Sequence, residues 1–273
     1  MDVIHSPKCL EYELQGHPES PQRIRLAADY LRRQGYTFIE PVACSEEDLL
    51  RVHTREHVDR IRRGSAFELD TPSRPEMYAF ACLAVGAAIT AAERQAFSLM
   101  RPPGHHAGRD FNGGFSYFNN IASAVAKLGR RTLIVDFDGH HGNGTQDIFR
   151  DDPKVHYLSL HGRGFPGTGL TSGSRYSNNA LFGQVGDSVF LKSLEALLAH
   201  TPQTEQLAVS AGFDAYVDDP LASLGLSQDC YHQVGRLLAG LRLPTFCVLE
   251  GGYVPEALGP SIHSFLLGLN DTA

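Results

Sequence analysis

Five short, mostly apolar segments, separated by stretches with helical periodicity, constrain the fold of this chain more than any other feature. Each segment is followed by a loop that contains glycine and polar residues. Continuous apolar strands between helices are typical of a parallel sheet that is buried on both faces. We therefore predict an α/β fold, a doubly wound single domain with a mostly parallel central sheet and helices on both faces. The predicted strands are residues 97–100, 132–138, 154–161, 206–211 and 245–250.

Two predicted helices carry clear end signals. Ser20 can cap a helix that has Pro21 in its first turn, and Gly35 can end it. Ser45 can cap a second helix with three acidic residues in its first turn and arginines near its end, up to Arg63. Further helices are predicted near residues 76–93, 119–128, 188–200 and 228–241.

Composition and charge exclude several classes of protein. Of the 273 residues, 42% are hydrophobic, which is enough for one large core. The formal net charge of −7 provides no basic surface for a nucleic-acid backbone. The five cysteines contain no CxxC pair and the first residues do not resemble a secretory signal, so we expect a cytoplasmic protein. The apolar run at residues 78–92 is expected to be too short to cross a membrane and is predicted to be a buried helix.

Most of the unusual polar residues directly follow the predicted strands. In open α/β sheets, ligands bind beyond the carboxyl ends of the strands, where several loops meet. Here those loops contain tandem histidines, aspartates and a glycine pair, and they begin near residues 101, 139, 212 and 251. We therefore expect one functional site that combines residues from several loops.

One of these loops has the spacing of a metal site. Alternate residues of an extended strand end share a face, so Asp136, Asp138 and His140 should point the same way. A carboxylate and an imidazole two residues apart can bind one divalent cation, and Asp214 at another strand end can supply a third ligand. Two carboxylates and one imidazole leave a coordination position for water, as catalytic sites do.

Tandem histidines and a tyrosine can supply acid–base chemistry beside that cation. His105 and His106 are adjacent in sequence, so their side chains diverge and each needs its own partner. Asp136 could orient one ring and Asn143 the other, which would make one imidazole more basic than its neighbour. Tyr253 follows a glycine pair and could polarise a substrate carbonyl. Together with a metal ion, these groups indicate hydrolysis of an amide.

Eight motifs in this order resemble the metal-dependent histone deacetylase family, which includes bacterial histone deacetylase-like amidohydrolases and acetylpolyamine amidohydrolases. The resemblance runs from about residue 17 to residue 260, and it implies an arginase/deacetylase-type fold with one catalytic domain over residues 1–273. Asn143 stands where some members have a second aspartate, so the pattern is similar to class II. The motifs are HPESPQR (17–23), LDTP (69–72), RPPGHHA (101–107), GGFSYFNN (113–120), VDFDGHHGNGTQ (135–146), FPGTG (165–169), SAGFDAYVDDPL (210–221) and LEGGY (249–253).

The resemblance implies a zinc site at the three ligands already identified, in which iron(II) could replace zinc. It also implies acid–base roles for the two histidines and contact of Tyr253 with the scissile carbonyl. Of the two histidines, we favour His106 as the principal acid or base. The resemblance also implies a narrow tunnel for an acyl-lysine-like chain and a rim aspartate that binds substrate amides. The tunnel residues are Gly114, Phe115 and Phe165, and the rim aspartate is Asp70.

A structural monovalent cation, usually potassium, is also implied by the resemblance. Arg23 matches a family arginine that lines an interior cavity. The residues that match the cation ligands are Asp136, Asp138, His140, Ser159 and, through its carbonyl, Leu160.

Three alternatives stay open at this point. A two-manganese ureohydrolase of the arginase type shares the strand-end Asp-x-His pattern, but it needs further carboxylates where this chain has Gly142 and Tyr216. Polyamine-selective deacetylases can have an acidic residue where this chain has Leu221, so we favour acyl-lysine or another uncharged acyl amide over acetylpolyamine as substrate. A non-catalytic relative that only binds an acylated ligand would lack a metal ligand or Tyr253, and all of these residues are present.

Overall fold

A wholly parallel sheet lies at the centre of the structure, a computed structural model in which residues 1–66 and 68–271 are described. In chain order, its eight strands are β1 (Val3–Ile4), β2 (Phe38–Ile39), β3 (Phe97–Ser98), β4 (Thr132–Asp136), β5 (Val155–Gly162), β6 (Tyr176–Leu181), β7 (Gln206–Ala211) and β8 (Thr245–Leu249). Their order across the sheet is β2-β1-β3-β8-β7-β4-β5-β6, and every pair of neighbours is parallel. The predicted α/β architecture is therefore confirmed.

Helices cover both faces of this sheet. Ile134 and Val135 are neighbours in β4, and they lie in two different buried hydrophobic clusters. Neighbouring residues of this strand therefore pack on opposite sides of the sheet. This burial on both faces explains why the strands are continuously apolar. The α-helices of the described chain are α1 (Pro21–Arg33), α2 (Glu46–Leu50), α3 (Arg55–Arg63), α4 (Met77–Arg94), α5 (Asn120–Leu128), α6 (Asn143–Phe149), α7 (Gly186–Leu198), α8 (Gln228–Ala239) and α9 (Pro255–Asn270).

Several elements differ from the sequence-based prediction. The helix predicted from Ser45 to Arg63 is two helices, because Thr54 provides a new N-cap whose hydroxyl accepts a hydrogen bond from the N–H of His57 at 3.2 Å. The sequence signals also miss β1 and β2, which have only two residues each, and β6, which is largely polar. Helices α6 and α9 are missed as well, and α9 contains Pro260, a residue that argues against a helix interior.

Helix α4 contains the longest apolar run. Contrary to the expectation that this run is too short, the helix has 18 residues and is long and apolar enough to cross a membrane by length and composition alone. However, 67% of it is buried inside the protein, against the sheet and neighbouring helices. The prediction of a buried core helix is therefore confirmed.

A buried cluster of charges joins the start of α1 to the loop after β3. The Glu19 carboxylate accepts hydrogen bonds from Arg101 Nε at 2.7 Å and from Arg23 Nη1 at 3.0 Å, and all three side chains are buried. The Arg101 guanidinium also packs 3.4 Å from the centre of the Tyr12 ring. One carboxylate thus balances two buried arginines at the edge from which the functional loops start.

We expect Glu19→Ala to lower the free energy of unfolding by about 3–5 kcal/mol, because two guanidinium groups would remain buried without their carboxylate. Urea unfolding followed by circular dichroism measures this change. Asp29→Ala is the control, since it removes an exposed ion pair with Arg32 (3.3 Å) and should change stability by less than about 0.5 kcal/mol. Equal effects of the two variants would contradict the role assigned to Glu19.

Candidate active site

The order of the strands brings the polar loops together. Strands β3, β8, β7 and β4 are consecutive in the sheet, so the loops after their carboxyl ends lie side by side. These are the loops that contain the tandem histidines, the glycine pair with Tyr253, Asp214, and the Asp138–His140 segment. The expected convergence of these loops on one rim is therefore present.

Asp138, His140 and Asp214 form the one group in the described part of the chain whose side-chain atoms could hold a metal ion together. One possible ligand atom from each residue lies within 4.8 Å of the others. His140 Nδ1 is 2.7 Å from Asp214 Oδ2 and 3.2 Å from Asp138 Oδ1. The backbone N–H of Gly251 donates to the second oxygen of Asp138 at 2.8 Å, and the N–H of Gly139 donates to that of Asp214 at 2.7 Å. Backbone donors thus fix both carboxylates.

The charges of this group favour a bound cation. Asp138 and Asp214 are almost completely buried and close together, which is unfavourable for two like charges unless a positive charge lies between them. Burial disfavours the charged form of His140, but the Asp214 and Asp138 carboxylates outweigh burial and raise the pKa of His140 to about 11. Burial, with the neighbouring Asp138, raises the pKa of Asp214. A divalent ion would neutralise both carboxylates, so the residues fit a metal site.

The loops that follow the strands approach Asp138 so closely that two positions require glycine. A Cβ atom on Gly212 would lie 2.0 Å from Asp138 Oδ2, and one on Gly251 would lie 2.6 Å from the same atom. Gly212 directly follows β7, and Gly251 comes two residues after the end of β8, which explains the glycine-rich loops seen in the sequence.

The two adjacent histidines have different partners. His105 Nδ1 is 3.1 Å from Asp136 Oδ2, which also accepts a hydrogen bond from the Tyr157 hydroxyl at 2.8 Å. His106 Nδ1 is 2.7 Å from Asn143 Oδ1. Both imidazoles are buried, and their ring centres are 4.0 Å apart.

These partners move the pKa values of the two histidines in opposite directions. For His105, burial favours the neutral ring, but Asp138 and Asp136 outweigh it and raise the pKa to about 10. For His106, burial and the nearby His105 and His140 hold the pKa well below its ordinary value, since the Asn143 amide carries no compensating charge. The His105 ring is therefore the more basic of the two.

Two side chains and a backbone hydrogen bond hold Tyr253. The Arg23 guanidinium carbon lies 4.6 Å from the ring centre, and the Phe115 ring meets it edge-on at 5.7 Å. The backbone N–H of Tyr253 donates to Asp219 Oδ2 at 2.7 Å. Burial raises the pKa of Tyr253 well above its ordinary value, so its hydroxyl remains a donor at neutral pH.

Phe165, Gly114 and Leu221 lie near the two histidines His106 and His140. The centre of the Phe165 ring is 5.3 Å from that of His106 and 6.1 Å from that of His140, and Phe165 is 51% exposed. Gly114 has a φ of +52°, and a Cβ atom there would lie 2.2 Å from His106 Cδ2, so this position requires glycine. A cavity of about 220 Å³ opens beside His140, and the partly exposed Leu221 contributes to its wall.

Asp70 and Ser159 make contacts that the sequence does not reveal. The Asp70 carboxylate accepts hydrogen bonds from the N–H of Gly114 at 3.1 Å and from the Thr71 hydroxyl at 2.7 Å, so it holds the Gly114 loop. Ser159, which precedes Leu160 in β5, pairs with Asp136 in the sheet, and its hydroxyl is 2.7 Å from His161 Nδ1. Binding of substrate amides by Asp70 and of potassium by the Ser159 region stay predictions.

Sequence reasoning missed two buried acidic residues of the site. Glu250 and Asp219 lie in motifs that were recognised, but no role follows from their position in sequence. Burial raises the pKa of each to about 7. A carboxylate at the end of an apolar strand, as in the segment CVLE, is the signal that could have identified Glu250.

Comparisons with known proteins agree with one another. The family model described as "Histone deacetylase domain" matches residues 17–269. A protein of Methanothermobacter thermautotrophicus named "Probable deacetylase" is 36% identical over 305 aligned residues, which cover 99% of this chain and 91% of that protein. A human polyamine deacetylase is 34% identical, with 89% of this chain and 43% of that protein covered. The crystal structure of the HDA15 HD domain matches with a TM-score of 0.85 and 32% identity, and the match covers 97% of this chain and 87% of that one.

Proposed function

This chain belongs to the histone deacetylase domain family of amide-hydrolysing enzymes, and we propose that it removes acetyl or other acyl groups from acyl-lysine-like amides with one catalytic zinc ion. The observation that carries this proposal is the group of Asp138, His140 and Asp214 beside two histidines with different partners. Residues 1–273 are proposed to form one catalytic domain, active in the cytoplasm without a nucleic-acid or membrane partner.

Asp138, His140 and Asp214 would hold the metal ion. When bound, zinc, or iron(II) in its place, supplies a Lewis acid that polarises the amide carbonyl and lowers the pKa of water. The backbone donors at Gly139 and Gly251 keep the two carboxylates in their orientation. A structural potassium ion is proposed near Asp136, Asp138, His140, Ser159 and Leu160.

His106 is proposed as the principal acid–base residue. Its Nδ1 lies beside the Asn143 amide oxygen, which can only accept, so Nδ1 keeps its proton and Nε2 is free to take one. His105, with its raised pKa and its bond to Asp136, provides positive charge and a proton beside the leaving amine. Tyr253 donates its hydroxyl hydrogen bond to the oxyanion of the tetrahedral intermediate.

The substrate enters between aromatic side chains and ends at the metal group. Gly114, Phe115 and Phe165 are proposed to line the tunnel, and Asp70 and Leu221 its rim. Leu221 offers no charge to the second ammonium group of an acetylpolyamine, which favours acyl-lysine. The 34% identity to a human polyamine deacetylase supports acetylpolyamine, or another small-molecule amide, as the alternative substrate. A non-catalytic acyl-binding relative is the remote alternative.

A panel of substrates assayed with and without metal tests the proposal. We expect the zinc-loaded protein to hydrolyse acyl-lysine substrates faster than acetylpolyamines, with an acetyl-lysine peptide, free acetyl-lysine and longer acyl-lysines assayed in parallel. We expect chelation to abolish activity until zinc or iron(II) is added back. Asp214→Asn should lose the bound metal, whereas the exposed neighbour Asp218→Asn should retain it. Activity that survives complete metal removal would refute the proposed mechanism. Exclusive turnover of acetylpolyamines would refute acyl-lysine as the proposed substrate.

A further inference from the structure

Glu250 is a buried carboxylate directly behind the two active-site histidines. It follows β8 and is 1% exposed. Its Oε2 accepts hydrogen bonds from the backbone N–H groups of Gly104 at 2.8 Å and His105 at 3.1 Å. Its Oε1 accepts one from the Ser210 hydroxyl at 2.9 Å. One side chain thus satisfies two consecutive backbone donors of the histidine loop (residues 99–106) and a hydroxyl on β7.

These bonds connect three neighbouring strands at the edge where the site lies. The histidine loop follows β3, Glu250 follows β8, and Ser210 lies in β7. The backbone of the same segment is fixed from α1, because Arg23 Nη2 donates to the Glu250 carbonyl at 2.9 Å. The Glu250 carboxylate is therefore anchored on the central strands of the sheet, and its hydrogen bonds hold the histidine loop in place relative to them.

The histidine loop depends on this anchor for its position. The loop has no regular secondary structure at residues 102–104, and a Cβ atom on Gly104 would lie 2.4 Å from the Asn120 nitrogen, so the backbone passes very close to α5. The position of the His105 backbone determines whether its ring reaches Asp136 at 3.1 Å and whether the next ring reaches Asn143 at 2.7 Å. Without an acceptor, two buried N–H groups would lose their partners.

We propose that Glu250 is a positioning residue for hydrolysis: it holds the N–H groups of Gly104 and His105 so that both imidazoles face the metal group in their working orientation. This inference rests on the proposed function and extends it to a residue outside the reacting centre. We expect acceptor geometry, and not fixed charge, to be the property that matters, since one oxygen of the Glu250 side chain must reach both N–H groups while the other reaches the Ser210 hydroxyl.

Two conservative variants separate geometry from charge. Glu250→Gln keeps the length of the side chain, its carbonyl oxygen can accept both N–H bonds, and its amide can donate to Ser210. Glu250→Asp keeps the charge but is one methylene shorter and cannot reach both the loop and Ser210. We expect Glu250→Gln to retain kcat within about threefold, and Glu250→Asp to lose about 10- to 100-fold in kcat with little change in KM, because small displacements of catalytic groups cost rates of this order.

The measurements are kcat and KM of the zinc-loaded proteins on an acetyl-lysine peptide, together with zinc content, thermal melting and ¹⁵N NMR signals of the histidine side chains. Zinc content should be equal in both variants, and the signals of His105 and His106 should shift in Glu250→Asp alone. A Glu250→Asp variant with the wild-type kcat, or a Glu250→Gln variant that loses as much as Glu250→Asp, would overturn the inference. Failure of the wild-type protein to hydrolyse any acyl amide would instead refute the proposed function.

Discussion

Replacement of Tyr253 by phenylalanine is expected to lower kcat by about 10²- to 10³-fold, because the oxyanion would lose one of its hydrogen-bond donors. The ring itself should stay in place, since Arg23 packs over its face and Phe115 contacts it edge-on, and neither contact needs the hydroxyl. The backbone bond to Asp219 is also unaffected. Steady-state kinetics on an acetyl-lysine peptide, with zinc analysis of the same samples, measures the effect.

Tyr36→Phe is the matched control for this experiment. The Tyr36 hydroxyl is 3.0 Å from His263 Nδ1, between α1 and α9, and it contributes nothing to the site. Its removal should leave kcat unchanged. Wild-type turnover by Tyr253→Phe would contradict the oxyanion role, and so would a loss of bound zinc, which would mean that the hydroxyl supports the metal group instead.

The parts of the fold that could be predicted are those with repeated local signals. The predicted bounds of β7 are the observed ones, and those of the other predicted strands differ by a few residues, because a strand buried on both faces must be apolar along its whole length. The predicted helix from Ser45 to Arg63 is too long. The break is hard to predict, because the cap at Thr54 is a single residue inside an otherwise continuous helical pattern.

The residues of the candidate site could be predicted where chemistry concentrates in short motifs. Asp138 and His140 lie two residues apart, and the structure brings both to Asp214 as their spacing suggested. The roles of Glu250 and Asp219 could not be predicted in this way, although both residues lie in such motifs. Their partners at Gly104 and Tyr253 are distant in sequence, and the sequence does not specify which buried carboxylate accepts from which backbone N–H.

The number of histidines was a useful but incomplete signal. Of the 13 histidines, three lie among the candidate catalytic and metal-binding groups. Others act as hydrogen-bond partners inside the fold: His53 bonds the Gly108 carbonyl at 2.8 Å, and His57 bonds that of Tyr117 at 2.8 Å. An imidazole can satisfy a buried backbone group without a charge, so a high count does not by itself indicate catalysis.

Replacement of His106 by alanine is expected to lower kcat by about 10²- to 10⁴-fold, the range for removal of a general acid–base group. Burial and the adjacent His105 and His140 keep its pKa low, so the ring is neutral at pH 7 and its Nε2 lone pair can accept a proton. His105→Ala should have a smaller effect, because His106 is proposed as the principal acid–base residue, while His105, with its raised pKa, adds positive charge and a proton for the leaving amine. The kcat of both variants is measured on the zinc-loaded proteins.

Two further tests distinguish loss of a base from loss of structure. Added imidazole should partly restore the activity of His106→Ala, since the missing ring leaves space beside Gly114 and Phe165, and it should not restore that of Tyr253→Phe. His200→Ala, an exposed histidine after α7 whose ring bonds a backbone carbonyl at 2.9 Å, is the control and should behave like the wild type. If His105→Ala were instead the more damaged and the only rescued variant, His105 would be the base, because rescue follows the residue that exchanges the proton.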